Sequence, residues 1–108
     1  MHLPEARLKE MEARFEEIER LLSDPAVAGR PSELKDLGKE HAELRDVVED
    51  WRAYRRAVDD AAEARALLAG ASGEEASYLN DELEIQERRA RELAEKIVGA
   101  LTPKDPND

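Results

Sequence analysis

Apolar residues recur along this chain at alternating spacings of three and four. Leu8, Met11, Phe15, Ile18 and Leu22 open the series. That is the a/d seam of an amphipathic helix, with Glu, Lys and Arg filling its other faces. Pro4 suits the first helical turn and Glu5 the positive end of the helix dipole. Ser23-Asp24-Pro25 then ends this first helix near Leu22. Residues 24–31 hold two prolines and Gly29, and predict a loop.

Pro31-Ser32 opens a second helix, with Ser32 as the expected N-cap and Glu33 in the first turn. Leu37, His41, Leu44, Val48 and Trp51 keep the spacing. The seam then shifts to Tyr54, Val58, Ala61, Ala62 and Leu68. Run through to Ala69, this helix would be about 57 Å long at roughly 1.5 Å per residue. Gly38 inside it costs about 1 kcal/mol relative to alanine.

Gly70-Ala71-Ser72-Gly73 reads as a turn, with Gly70 placed as a helix stop. Ser72-Gly73-Glu74-Glu75 matches the capping box S-x-x-E. A third helix follows through Ala76, Leu79, Leu83, Gln86, Ala90, Leu93 and Ile97, about 42 Å long. The pattern predicts an all-α fold: an antiparallel three-helix bundle, or a coiled-coil-like long helical hairpin with a short first helix. The turn at residues 70–73 is short enough to make the last two helices an αα-hairpin.

Composition narrows the picture. Charged residues are 41% of the chain and the hydrophobic 41% is heavy in alanine, with Phe15, Trp51, Tyr54 and Tyr78 the only aromatics. The core is therefore a slim seam. A net charge of −10 argues against general nucleic-acid binding and against DNA as a partner. There is no cysteine, so neither disulfides nor Cys-based zinc sites can form. No stretch approaches the ~20 apolar residues of a membrane span, and the first residues lack the apolar run of a signal peptide. The expectation is a cytoplasmic protein with no membrane partner.

Candidate chemistry is sparse. There is no G-x-S-x-G and no glycine-rich phosphate loop. His41 sits on the seam with Glu40 and Glu43 nearby, but no H-x-x-x-H or H-E-x-x-H spacing gives it metal-binding partners; it reads as a seam-edge histidine. No catalytic residue, metal ligand or cofactor site is expected. Two basic clusters stand against the acidic background: Arg52, Arg55 and Arg56 around Tyr54, and Arg88, Arg89 and Arg91. Either could meet RNA phosphate or an acidic protein. The plainer reading, which carries more weight, is a solvated face with i,i+4 pairs such as Glu84–Arg88 and Glu87–Arg91. Trp51 and Tyr54 read as core or seam edge, and Gln86 as a register-setting or edge residue.

The chain closes on Leu101-Thr102-Pro103-Lys104-Asp105-Pro106-Asn107-Asp108. Pro103 and Pro106 restrict the residues before them to extended backbone, so the third helix should stop at Leu101. This gives a helical domain over 1–101 and the start of a linker over 102–108. The ending resembles the bacterial class I peptide chain release factors of the release-factor-one type, whose N-terminal helical domain runs into an L-L-P-K-D-P-x-D stretch; threonine here replaces the second leucine. Leu21-Leu22-Ser23-Asp24-Pro25-Ala26-Val27 resembles a second family segment, L-L-S-D-P-x-V, at the end of the first helix. The order of elements agrees along the whole chain.

The resemblance implies a part in translation termination at UAA and UAG codons. In that family a P-x-T motif reads the stop codon and a G-G-Q motif promotes peptidyl-tRNA hydrolysis, both in later domains. Neither motif occurs in these residues. The resemblance therefore implies a non-catalytic ribosome-binding module, with a central domain expected to follow. It would project toward the stalk base of the large subunit, near the recycling translational GTPase. It would be monomeric in the intact factor and able to pair as an isolated piece. The competing reading is a free-standing coiled-coil adaptor or oligomerisation protein, which leaves the PKDPND ending unexplained.

Overall fold

The computed structural model describes residues 2–103, and every regular element among them is helical. The order is α1 (Glu5–Leu22), α2 (Pro25–Ala28), α3 (Pro31–Leu68) and α4 (Gly73–Leu101). The protein is all-α, as the periodicity predicts.

The local chemistry of each terminus explains these bounds and corrects some expectations. α1 starts where the Leu8 amide donates to the Pro4 carbonyl at 3.0 Å. It ends at Ser23, whose amide donates to Arg20 and whose hydroxyl donates to the Glu19 carbonyl. The expected loop at 24–31 contains a helical turn instead. The Asp24 carboxylate accepts from the Ala26 amide at 2.9 Å, and Pro25 takes the first helical position. Asp before Pro is thus a start signal here, because the ring costs no hydrogen bond at a position whose N–H has no helical partner.

α3 begins at Pro31, with the Leu34 amide bonded to the Arg30 carbonyl at 3.0 Å. Ser32 therefore lies inside the first turn and is not the cap. The helix passes Gly38 without a break and ends at Leu68, where three i→i−3 bonds tighten residues 69–71. Ser72 does occupy the N-cap of α4, but its side chain makes no capping bond. Gly73 follows at φ +61°, a left-handed turn that redirects the chain just after the cap. α4 ends at Leu101. Thr102 has the extended backbone required before Pro103, and both its amide and its hydroxyl donate to the Val98 carbonyl. The expected linker from Lys104 on lies outside the described residues.

Contacts divide the described residues into two compact units, His2–Glu49 and residues 50–103. In the first, α1 and α2 pack together and Leu8, Phe15, Ile18, Val27, Val47 and Val48 are buried. Arg14 spans from α1 to Glu40 of α3 as a two-pronged pair, Nε to Oε2 at 2.7 Å and Nη2 to Oε1 at 2.8 Å. In the second unit, residues 50–68 of α3 and α4 form the expected hairpin. Lys96 meets Asp50 at 3.3 Å and Arg65 meets Glu87 at 3.4 Å. Its buried side chains are Trp51, Ala57, Ala61, Ala64, Leu79, Ala94 and Ile97. Four of these seven are alanines, so small side chains dominate this buried set. The seam expected at Val58 and Ala62 is turned outward: Val58 is 41% exposed, while Ala57 and Ala64 take the inner positions.

Candidate interaction surface

The second unit carries all six candidate arginines. Arg52, Arg55 and Arg56 occur at i, i+3 and i+4, so they share one side of α3. Arg52 and Arg55 are half-buried and Arg56 is exposed. Trp51 is inside, 1% exposed, and Tyr54 stacks on it with centroids 5.9 Å apart and planes 18° apart. The Arg55 guanidinium sits over the same indole, 5.0 Å from its centroid. This is cation–π geometry, in which the ring face attracts the charge. Of the pair expected at core or seam edge, Trp51 is core and Tyr54 is half-buried at the edge, and Arg55 is partly a packing residue.

On α4, Arg88, Arg89 and Arg91 are all exposed. Arg88 lies 3.9 Å from Glu84, the expected i,i+4 pair. Glu87 reaches across the hairpin to Arg65 rather than along its own helix to Arg91. Arg91 instead lines a shallow groove of about 210 Å³ with Tyr54, Ala90, Ala94 and Glu95. Arg88 and Arg91 share a side, whereas Arg89 is turned about 100° from Arg88. The structure thus joins Arg91 to the Tyr54 aromatic site and leaves Arg89 on another flank.

Among the described residues no three His, Asp or Glu side chains gather in a way that could hold a metal ion. His41 is half-buried. Its ring stacks on Phe15 at 4.3 Å, and Nε2 lies 3.4 Å from Glu19. That acidic neighbour comes from α1, not from the flanking Glu40 or Glu43. Gln86 is also half-buried; its amide nitrogen donates to Glu82 at 2.8 Å while its oxygen is enclosed without a partner.

Two features escape the sequence reading. One is the Arg14–Glu40 pair, whose hydrogen bond holds the Glu40 carboxyl below the ordinary range and the Arg14 guanidinium above its own. No local spacing announces a bond between residues 26 apart. The other is a set of exposed apolar side chains toward the hairpin turn: Leu67, Tyr78 and Ile85.

No described helix is long and apolar enough to cross a membrane. The PCRF domain model matches residues 11–108. Peptide chain release factor 1 of Geobacter sulfurreducens is 38% identical over 102 residues, covering 94% of this chain and 28% of the relative. The Bacillus subtilis protein of that name is 35% identical over 103 residues, 94% of this chain and 29% of the relative. That of Syntrophus aciditrophicus is 40% identical over 103 residues, 95% and 29%. The chain thus spans under a third of the length of these relatives. No solved structure matches it.

Proposed function

The chain belongs to the PCRF domain family, and from that premise we propose that it serves as the N-terminal helical module of a peptide chain release factor acting in translation termination at UAA and UAG codons. The observation that carries the reading is the extent of the match, 35% and 40% identity to release factor 1 proteins over about 94% of this chain.

In this reading the module contributes placement rather than chemistry. It carries neither P-x-T nor G-G-Q, so decoding and peptidyl-tRNA hydrolysis belong to the rest of a factor joined through residues 102–108. The module sits against the stalk base of the large ribosomal subunit, near the recycling GTPase, in the cytoplasm, as part of a monomeric factor. Of the six arginines, Arg56, Arg88, Arg89 and Arg91 are exposed enough to reach ribosomal RNA phosphate; Arg52 and Arg55 support them from the half-buried side.

The test is a domain exchange. Residues 1–101 replace the corresponding segment of a bacterial release factor 1, and peptide release is measured on stalled ribosomes carrying UAA or UAG. The hybrid should release peptide at both codons, and the chain alone at neither. A folded hybrid that neither binds nor releases would sink the proposal. Concentration-dependent dimerisation of the chain beside such an inactive hybrid would favour the free-standing adaptor.

A further inference from the structure

Toward the turn of the α3–α4 hairpin lies a groove of about 330 Å³ whose floor is apolar, formed by Ala64 and Leu79. Leu67 and Tyr78 form its walls, and they are 52% and 67% exposed. Ile85, 49% exposed, continues the same side of α4 two turns beyond Tyr78. The rim is carboxylate alone: Asp60, Glu63 and Glu82. The groove at Tyr54 differs, since Arg91 and Glu95 both line it. The groove of the first unit is likewise mixed, with Arg14 and Arg30 beside Glu33 and Asp36.

We infer that this groove is a docking site for a basic amphipathic protein segment, most simply a helix that lays a leucine-like anchor between Leu67 and Tyr78 and sets lysines or arginines against Asp60, Glu63 and Glu82. Three arguments select that occupant. Exposed apolar walls gain by removal from water, so the ligand has an apolar stripe. Three carboxylates with no cation among the lining residues favour a positive partner and repel nucleic-acid phosphate. A second copy of this chain is a poor occupant, because each copy carries a net charge of −10. The inference rests on the groove residues and stands whether or not the chain works in termination.

The test uses the full chain, isotopically labelled for NMR, and a synthetic amphipathic helix of leucine and lysine, with a leucine–glutamate helix as control. The lysine peptide should shift the resonances of Leu67, Tyr78, Leu79 and Glu82, bind more weakly as salt rises, and outcompete the glutamate peptide. Two double variants keep the fold in view, since all four side chains are exposed: Leu67→Ser with Tyr78→Ala, and Asp60→Asn with Glu63→Gln. Each should weaken binding about tenfold, the scale of losing an anchor or a desolvated charge contact, with the circular-dichroism melt little changed. The inference fails if folded variants bind the lysine peptide as before, or if the glutamate peptide binds equally well. It fails too if the shifts fall on the arginines of α3 and α4, or if a short single-stranded RNA produces the groove shifts. A sedimentation dimer that Leu67→Ser with Tyr78→Ala abolishes would overturn it in favour of self-pairing.

Discussion

Arg55 covers Trp51: the guanidinium carbon stands 5.0 Å from the indole centroid, over a side chain that is only 1% exposed. The pair converts a surface charge into a lid on the core. Removing it with Arg55→Ala should cost about 0.5–2 kcal/mol, the range for such contacts from exposed to desolvated sites. The exposed neighbour Arg56→Ala should stay within about 0.5 kcal/mol. Urea unfolding followed by Trp51 fluorescence reads both. Equal effects would mean that the stacking adds nothing. For the ribosome-contact reading, Arg56→Glu is the cleaner probe, because its effect on binding is not confounded by the core.

In α4, burial is uneven along the seam. Ile97 is fully enclosed, whereas Leu83 and Leu93 are half-buried. Ile97→Ala should therefore cost about 2–5 kcal/mol, the range for a buried large-to-small change, and Leu83→Ala distinctly less. Thermal melts of the two variants decide this. A larger loss at Leu83 would mean that the inner face of α4 is centred elsewhere.

The long-range periodicity was legible, and the reasons for its errors are physical. Leu8, Phe15, Ile18, Val48, Trp51, Leu79 and Ile97 combine large apolar side chains with helical spacing, and all are buried. Between Trp51 and Leu68 alanine gives no hydropathy contrast. Ala57 and Ala64, which are inside, look like Ala62, which is outside, and a seam shifted to Tyr54 leads on to Val58. Asp24-Pro25 carried its own signal, a capping carboxylate before a proline, but a stop and a start share those residues. The six arginines were visible as clusters; what could not be read was which of them pack on an aromatic ring and which pair across the hairpin. The groove with Leu67 and Tyr78 as walls was invisible for the same reason, since the two residues come to line one groove only when the chain turns at residues 69–73.

Glu40 gives the fold an acid-sensitive contact. The hydrogen bond from Arg14 lowers its carboxyl below the ordinary value of 4.5, so the folded state binds that proton less readily than the unfolded chain. The contribution is fully present above about pH 4.5 and is lost as the pH falls through the lowered value. Glu40→Gln removes it. The stability gap between the natural chain and this variant should therefore be constant near neutrality and shrink below about pH 4.5. It should also narrow with added salt, because both side chains are partly exposed. Denaturant titrations across the acid range measure the gap; one that widens on acidification would rule out this pair as its source.

Gly38 and Gly73 should answer the same substitution with opposite signs. Apart from the adjoining backbone, neither has a heavy atom within 4 Å of the place a Cβ would occupy, so packing against the rest of the protein does not decide the outcome. Backbone geometry does. Gly38 lies inside α3, where alanine loses less conformational freedom on folding; Gly38→Ala should stabilise by about 0.5–1 kcal/mol. Gly73 sits at φ +61°, where an L side chain meets the following carbonyl oxygen, so Gly73→Ala should destabilise by about 1–2 kcal/mol. Gly73→Asn should recover part of that loss, because asparagine tolerates the left-handed region better than alanine does. Paired melts of the three variants separate the two effects. A stabilising Gly73→Ala would show that α4 begins with ordinary right-handed backbone and that Ser72 is free to close the capping box with Glu75.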